Sequence, residues 1–229
     1  MRLFQTVFLL CFFLTAFCAK AQVGIALSHC SIYAPYWQGL IGENVPLFGN
    51  GHGFSADYRI RLKEVHLDIL PEAGFTKFKT PGVADTGFPE GDFNAEFYNF
   101  QANLNIYPFD FFERLDQKKT LTSAENMKRS VFVQIAPGAS MTYLSYRAAA
   151  EEMLLPPRRT AFFVALGAGF DIHYKNRLSL SPMLRYRHYP SVKWAGLNEL
   201  AGENTGSFFR EETSINQLAF SLRLGIYWR

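Results

Sequence analysis

The sequence is poor in cysteine, in charge of one sign and in long apolar runs, and each shortage removes a class of protein. Three cysteines occur in 229 residues, at positions 11, 18 and 30. They are too few for the disulfide framework of a small secreted domain. Lys and Arg number 23 against 20 Asp and Glu, a net charge of +3, and no basic recognition helix concentrates it. Nucleic acid is therefore not an expected partner. Mean hydropathy is -0.03, and only the N-terminus approaches the roughly 20 consecutive apolar residues that a membrane helix needs. Gly-rich phosphate loops and Cys or His ligand clusters are missing too, so the sequence calls for no metal and no cofactor. The five His are scattered at 29, 52, 66, 173 and 188. His29 and Cys30 are adjacent, and neighbours on a strand point to opposite faces.

What the chain does have is aromatic residues, 16% of the total, far more than disorder permits. It also has an ordered N-terminal segment. Arg2 precedes an apolar stretch from Leu3 to Phe17 that ends in Ala19-Lys20-Ala21 before Gln22, the charged, apolar and small-residue order of a secretory signal peptide. Cleavage after Ala21 is expected, giving a signal over 1–21 and a mature domain over 22–229. It would leave Cys30 alone and bring the two charge signs almost into balance.

From Phe54 onward the chain alternates with period 2 in segments of about the ten residues that a membrane strand needs. Phe54, Ala56, Tyr58, Ile60 and Leu62 share one face, while Ser55, Asp57, Arg59 and Arg61 share the other. Val65, Leu67 and Ile69 alternate with His66, Asp68 and, after Leu70, Glu72. Over 97–106 the split is sharp: Tyr98, Phe100, Ala102, Leu104 and Ile106 oppose Asn99, Gln101, Asn103 and Asn105. Four amides on one strand face are hard to satisfy in a dry core. Four more segments, near 131–143, 162–174, 178–187 and 218–228, repeat the pattern, and a weaker one runs from Gln22 to Tyr33. That makes seven clear strands and an eighth. Aromatics gather towards strand ends, Tyr107, Tyr174 and Trp228 at one edge and Phe54, Tyr98, Tyr143 and Tyr186 at the other, as interfacial girdles require.

Connections alternate in length. Those near 34–51, 79–93, 146–159 and 190–213 are long, whereas Lys63-Glu64 and Lys175-Asn176 are tight turns, which matches external loops and periplasmic turns. The connection at about 108–129 is long and charged, with capping-box spacing from Thr122 to Glu125, and reads as a periplasmic excursion or, equally, as a disordered linker. Spanning strands must close, because an open edge in lipid leaves backbone groups unpaired. The fold expected is all-β, an eight-stranded antiparallel transmembrane β-barrel, whose interior side chains fill.

The signal ending Ala-Gln, the tight turns, the stretch Leu180-Ser181-Pro182-Met183-Leu184-Arg185-Tyr186-Arg187 and the alternating terminal strand Leu218 to Trp228 resemble small porin-family outer-membrane β-barrels. The architecture is similar to that of the OmpA and OmpX barrels, and the resemblance covers about 22–229. It implies a Gram-negative outer-membrane protein, inserted by the outer-membrane assembly machinery and surrounded by outer-membrane lipid and lipopolysaccharide. PorT-like members serve secretion-machine assembly, which implies envelope or secretion-machine proteins as partners.

The inward face collects Asp57, Arg59, Arg61, Asp68, Glu72, Asp171, Arg185, Arg187 and Arg223. Unpaired charges there are costly, so an ion-pair network filling the lumen is expected, with Arg59, Arg61, Asp68 and Asp171 near the periplasmic end. Arg185 and Arg187 lie nearer the outer end with fewer acidic neighbours, and a basic vestibule for an anionic ligand is the other reading of that pair. The segment Arg187-His188-Tyr189-Pro190-Ser191 faintly resembles the pattern of lipid A deacylase barrels. There His188 would act as base and Ser191 as nucleophile, with Glu199 or Glu203 orienting the imidazole. Spacing three puts His188 and Ser191 on opposite strand faces unless Pro190 ends the strand. The leading expectation is a non-enzymatic barrel acting in envelope structure or through its loops. A lipid A-modifying enzyme and a narrow solute channel are the alternatives.

Overall fold

The structure, a computed structural model, describes residues 22–37, 49–62, 67–81, 91–111, 130–148, 158–174, 177–194, 197 and 210–227. The expected signal, the pairs 63–64 and 175–176, residues 199 and 203, and 112–129 with its capping pattern lie outside them. Nine strands carry the fold: β1 (Gln22–Tyr33), β2 (Gly51–Leu62), β3 (Leu67–Pro81), β4 (Gly91–Ile106), β5 (Val131–Ala148), β6 (Arg159–Phe170), β7 (Ile172–Tyr174), β8 (Leu178–Lys193) and β9 (Glu212–Tyr227). A single helical turn, α1 (Pro108–Phe111), follows β4.

All pairings are antiparallel, and β1 pairs with β9 from Gln22↔Tyr227 to Tyr33↔Asn216. β6 and β7 both pair with β8. They are two halves of one spanning strand, broken at Asp171, whose N–H donates to the Ser130 carbonyl at 2.9 Å. The ring therefore closes with eight positions. Among the described residues each of the eight positions pairs with two neighbours, the condition for a sheet to stand in hydrocarbon.

The surface is the reverse of a water-soluble barrel's. Leu27 is 68% exposed, Phe162 72% and Phe220 58%, and Val23, Ile25, Val164, Leu166, Leu184, Leu222 and Leu224 join them around the wall. So continuous an apolar belt is far beyond the patches that monomers keep in water. It faces lipid.

Strand β4 shows where the belt stops. Its outward residues from Tyr98 to Ile106 are apolar, and its inward ones, Asn99, Gln101, Asn103 and Asn105, are buried amides. Above Tyr98 both faces change sign: Asp92, Asn94 and Glu96 point outward while Phe93, Ala95 and Phe97 are buried inside. The apolar outward run of nine residues matches the ~9–11 that a tilted strand needs to cross the core. Strand β3 repeats the change, with outward Lys77 and Lys79 beside buried Phe78. The strands thus stand proud of the membrane on the long-connection side. There they enclose a second, apolar core that includes Trp37, Phe78, Phe93, Phe97, Phe163, Tyr189, Trp194 and Ile215. Trp194 packs edge-on against both Trp37 and Phe93, at centroid separations of 5.5 and 5.9 Å.

Two expectations are corrected. Tyr107 is no girdle residue: one position beyond outward Ile106, alternation turns it inward, and it is buried. The lumen is not polar throughout, because its long-connection end is filled by this aromatic plug.

The belt makes a depth-dependent prediction. Leu166→Arg, in the middle of the lipid face, should cost about 2–4 kcal/mol, and Asn94→Arg, above the reversal, no more than about 1 kcal/mol. Urea titration of folding into lipid vesicles measures both, and equal costs would contradict the placement of the belt.

Candidate functional site

Below the plug the lumen holds three charge clusters, and small inward residues make room for them. On β9, Arg223 reaches over β1 to Asp57 on β2, donating from Nε to Oδ2 at 2.7 Å and from Nη2 to Oδ1 at 2.6 Å. The β1 residue beneath it is Gly24, the register partner of both Asp57 and Gly225. A Cβ on Gly24 would collide with the guanidinium, and one on Gly225 would meet Gln22 and Ser179. The paired glycines are the space in which the bidentate pair lies.

The second cluster is at the short-turn end. Arg59 donates from Nε to Asp68 Oδ2 at 2.6 Å, from Nη1 to Gln22 Oε1 at 3.0 Å and from Nη2 to Asp171 Oδ2 at 2.8 Å. The Tyr107 hydroxyl, which itself accepts from Arg59, donates to Asp68 at 2.9 Å and to Asp171 at 3.0 Å. Ser181 closes the group by donating to Asp171 Oδ1 at 2.5 Å. Asp171 reaches this site because it occupies the break between β6 and β7, opposite β2 in the ring.

The third joins β8 to β3, again opposite walls. Arg185 forks onto Glu72, Nη1 to Oε1 at 2.9 Å and Nη2 to Oε2 at 3.0 Å, and its Nε donates to Gln134 Oε1 at 2.9 Å. Asn103 donates to the same carboxylate at 2.7 Å, and Gln101 donates to Asn103 at 2.6 Å. From the amide row that alternation places inside, Asn103 thus binds Glu72 directly and Gln101 backs it, while Asn105 accepts from Gln134, the amide that holds Arg185.

Of the nine charged residues singled out from sequence, the structure brings Arg59, Asp68 and Asp171 together, Asp57 with Arg223, and Glu72 with Arg185. Arg61 stays at the rim, its side chain 48% exposed and its Nε 3.6 Å from Asp68 Oδ1. Being near the strand's end, it turns to water. The basic-vestibule reading of Arg185 and Arg187 is overturned. Stagger between strands brings Glu72 on the far wall level with Arg185, and Arg187 lies beneath the aromatic plug, 3.9 Å from Glu72 and over the Phe163 ring. Sequence position along a strand does not give height in a sheared barrel, which is why this partnership was not read. Among the described residues the network encloses a cavity of about 10 Å³, lined by Arg59, Glu72, Gln134 and Arg185 among others. That is room for about one water molecule.

His188 and Ser191 do not meet as base and nucleophile. The β8–β9 register shifts between Tyr189 and Val192, at Pro190, which offers no N–H to the ladder. His188 Nδ1 lies 2.7 Å from Asn216 Oδ1, which also accepts from Tyr186 at 2.8 Å. The Ser191 hydroxyl is given to Glu212 instead.

Buried ion pairs make a sharp stability test. Asp57→Ala, which strands Arg223 without a partner, should cost about 3–5 kcal/mol, whereas Asp57→Leu combined with Arg223→Met should cost little or nothing. Urea unfolding of the two variants beside the wild-type chain checks it; equal losses would show that the pair is not the unit of stability.

No protein-family model and no curated protein matches the chain. Among solved structures it is similar to Ail, the attachment invasion locus protein of Yersinia pestis, crystallised with the heparin analogue sucrose octasulfate. Identity is 12% with 91% of this chain and 97% of that one covered, and the TM-score is 0.49. Neisserial surface protein A is similar at 12% identity over 92% and 98% of the two chains, with a TM-score of 0.48. The outer-membrane protease OmpT of Escherichia coli is similar at 9% identity over 91% and 96%, with a TM-score of 0.39. At such identities and scores these likenesses carry no argument about activity. On its own strand pairing, closure and surface, this chain is an eight-stranded antiparallel β-barrel of the outer-membrane type.

Proposed function

We propose that the chain is an integral outer-membrane protein that works by what its ends and outer wall contact, in envelope structure or assembly, and not by conduction or catalysis through the barrel. One observation carries this reading: the lumen is filled twice over, by the guanidinium–carboxylate network and by the aromatic plug above it. A solute path would have to break buried pairs between opposite walls and displace Trp37, Phe93 and Trp194. The assembly machinery during insertion, outer-membrane lipid and lipopolysaccharide afterwards, and envelope or secretion-machine proteins at the connections are the partners that fit it.

The enzyme reading has little support in this geometry. His188 and Ser191 are engaged by Asn216 and Glu212 respectively, so neither activates the other. The exposed Glu212 carboxyl, hydrogen-bonded by Ser191 and facing the Lys193 ammonium, is held below the usual carboxylate range. It stays an acceptor at neutral pH.

In planar bilayers the purified barrel should show no discrete conductance steps above the protein-free membrane; stable steps would overturn the closed-lumen reading. Lipid A from cells expressing wild-type chain and the H188A variant should have identical acylation by mass spectrometry, and a difference would restore the enzyme. Photo-crosslinking residues placed in turn within 112–129 and at Leu166 test the contact role. A discrete protein adduct from the former alone is expected, and no adduct at any connection would count against it.

A further inference from the structure

Two concave features lie one above the other on the outer wall of β2 to β5, and they differ in chemistry as the two ends of an amphiphile do. The lower one is an apolar groove of about 680 Å³ within the lipid belt. Large side chains dominate the belt elsewhere, but here Ala56, Ala73, Ala102, Pro71 and Pro137 form the floor, with Phe100, Tyr58 and Val23 along its sides. The upper one is a polar depression of about 260 Å³ formed by Lys77, Lys79, Asp92, Asn94, Glu96 and Tyr143, with Ser145 in its wall.

The register fixes how they are stacked. Phe75, Tyr98 and Met141 form a cross-strand row, and the next outward row is Lys77, Glu96 and Tyr143. The polar depression therefore starts at the first row above the apolar belt. Along β4, Glu96 and Ala102 are six residues apart, roughly 20 Å at ~3.4 Å per residue, so one molecule lying along the strand spans both features.

The charges of the depression are already used among themselves. Lys77 pairs with Glu96 at 2.7 Å and Lys79 with Asp92 at 2.8 Å, so the set is neutral and offers donors and acceptors together beside the Tyr143 ring. Ser145 adds an independent observation. It is 1% exposed, it faces this depression, and its hydroxyl has no hydrogen-bond partner among the described residues. Buried polar groups are rarely left so. A neutral, hydroxyl-rich headgroup can use these donors and acceptors with both ion pairs intact, whereas a bare phosphate would have to draw Lys77 or Lys79 away from its carboxylate to be held.

We propose that this wall binds one saccharide-headed lipid, its sugar ring in the depression against Tyr143 and Ser145 and an acyl chain in the groove over Ala73 and Ala102. The inference rests on the reading of the chain as a membrane barrel in contact with outer-membrane lipid, and it deepens that reading by assigning one wall site to a lipid with an uncharged sugar headgroup. The assay places the mature chain in dioleoyl phosphatidylcholine nanodiscs containing either dioleoyl monoglucosyl glycerol or, at equal mole fraction, dioleoyl phosphatidylglycerol. Lipid retained per barrel after detergent exchange is counted by native mass spectrometry. One glucosyl lipid per barrel is expected, with about tenfold preference over phosphatidylglycerol, and Ser145→Leu or the pair Ala73→Leu and Ala102→Leu should each lower its retention about tenfold. Equal retention of the two lipids, or preference for phosphatidylglycerol, overturns the saccharide assignment. Retention unchanged in either variant overturns the site. Binding of free methyl glucoside that is lost in Ser145→Leu but indifferent to the groove variant would mean a soluble-sugar site, which overturns the lipid. Heat-dependent gel migration of wild type and variants is measured alongside; a wild-type chain that neither inserts nor shifts would defeat the membrane reading itself, a failure distinct from lost lipid selectivity.

Discussion

Everything inside this barrel depends on guanidinium groups that cross it. An eight-stranded ring encloses a space that side chains must fill, and lipid outside supplies no drive to collapse the wall inward. Arg59 ties β2 to Asp171 on the opposite wall, and Arg185 ties β8 to Glu72 on β3. A buried charge without its partner is among the most expensive defects a fold can carry, so these contacts fix the register of strands that never touch. The bidentate geometry of Arg185 and Arg223 adds direction, since a forked pair accepts only one orientation of its carboxylate. The small residues Gly24 and Gly225 follow from the same constraint, because the Arg223 fork needs the volume that their side chains would take.

The same argument accounts for the change of polarity along β4. Within hydrocarbon the exterior must be apolar and the interior is free to be polar, provided that every donor and acceptor is satisfied. Once the strand rises above the lipid the demands exchange places. Water meets Asp92, Asn94 and Glu96 outside, and the inner face is left to form an ordinary core from Phe93, Ala95 and Phe97. Plug and network are therefore two solutions to one problem, how to fill a ring of this width, chosen by the medium outside. They meet at Arg187, whose guanidinium lies over the Phe163 ring while Glu72 is within 3.9 Å.

Much of this was legible in the sequence. Alternation from Phe54 to Leu62 and from Tyr98 to Ile106 set the faces, because facing is a local property of a strand. The cluster of Arg59 with Asp68 was also within reach, since a tight turn brings these positions onto neighbouring strands. Arg185 with Glu72 was not: the partners are 113 residues apart on opposite walls, and their common height is a product of stagger summed around the ring. The plug was missed for a different reason. Its signal is a reversal of phase, apolar residues moving from even to odd positions across Phe97 and Tyr98, but a strand that ends with the membrane leaves Phe93 in the connection near 79–93 and gives Phe97 no face. The break at Asp171 is likewise invisible to alternation, which runs through it unchanged from Phe170 to Ile172 and Tyr174.

The distribution of charge with depth turns these local pairings into a property of the whole barrel. At the short-turn end one buried guanidinium, Arg59, serves two carboxylates, Asp68 and Asp171. Towards the plug one carboxylate, Glu72, serves two guanidiniums, Arg185 and Arg187. Each cluster is one charge out of balance, in opposite senses, and the Arg223–Asp57 pair is neutral. The excess carboxylate is answered by Arg61 at the water-facing rim, where holding a charge costs least. The excess guanidinium has no such exit, since the plug seals the lumen above it, and it is held instead by Gln217 at 3.3 Å and by the face of Phe163. Opening the outer end would expose Arg187 to water and remove the apolar lid that makes its present arrangement necessary. The two fillings thus depend on each other, the network fixing the walls and the plug covering the cation at the network's upper edge.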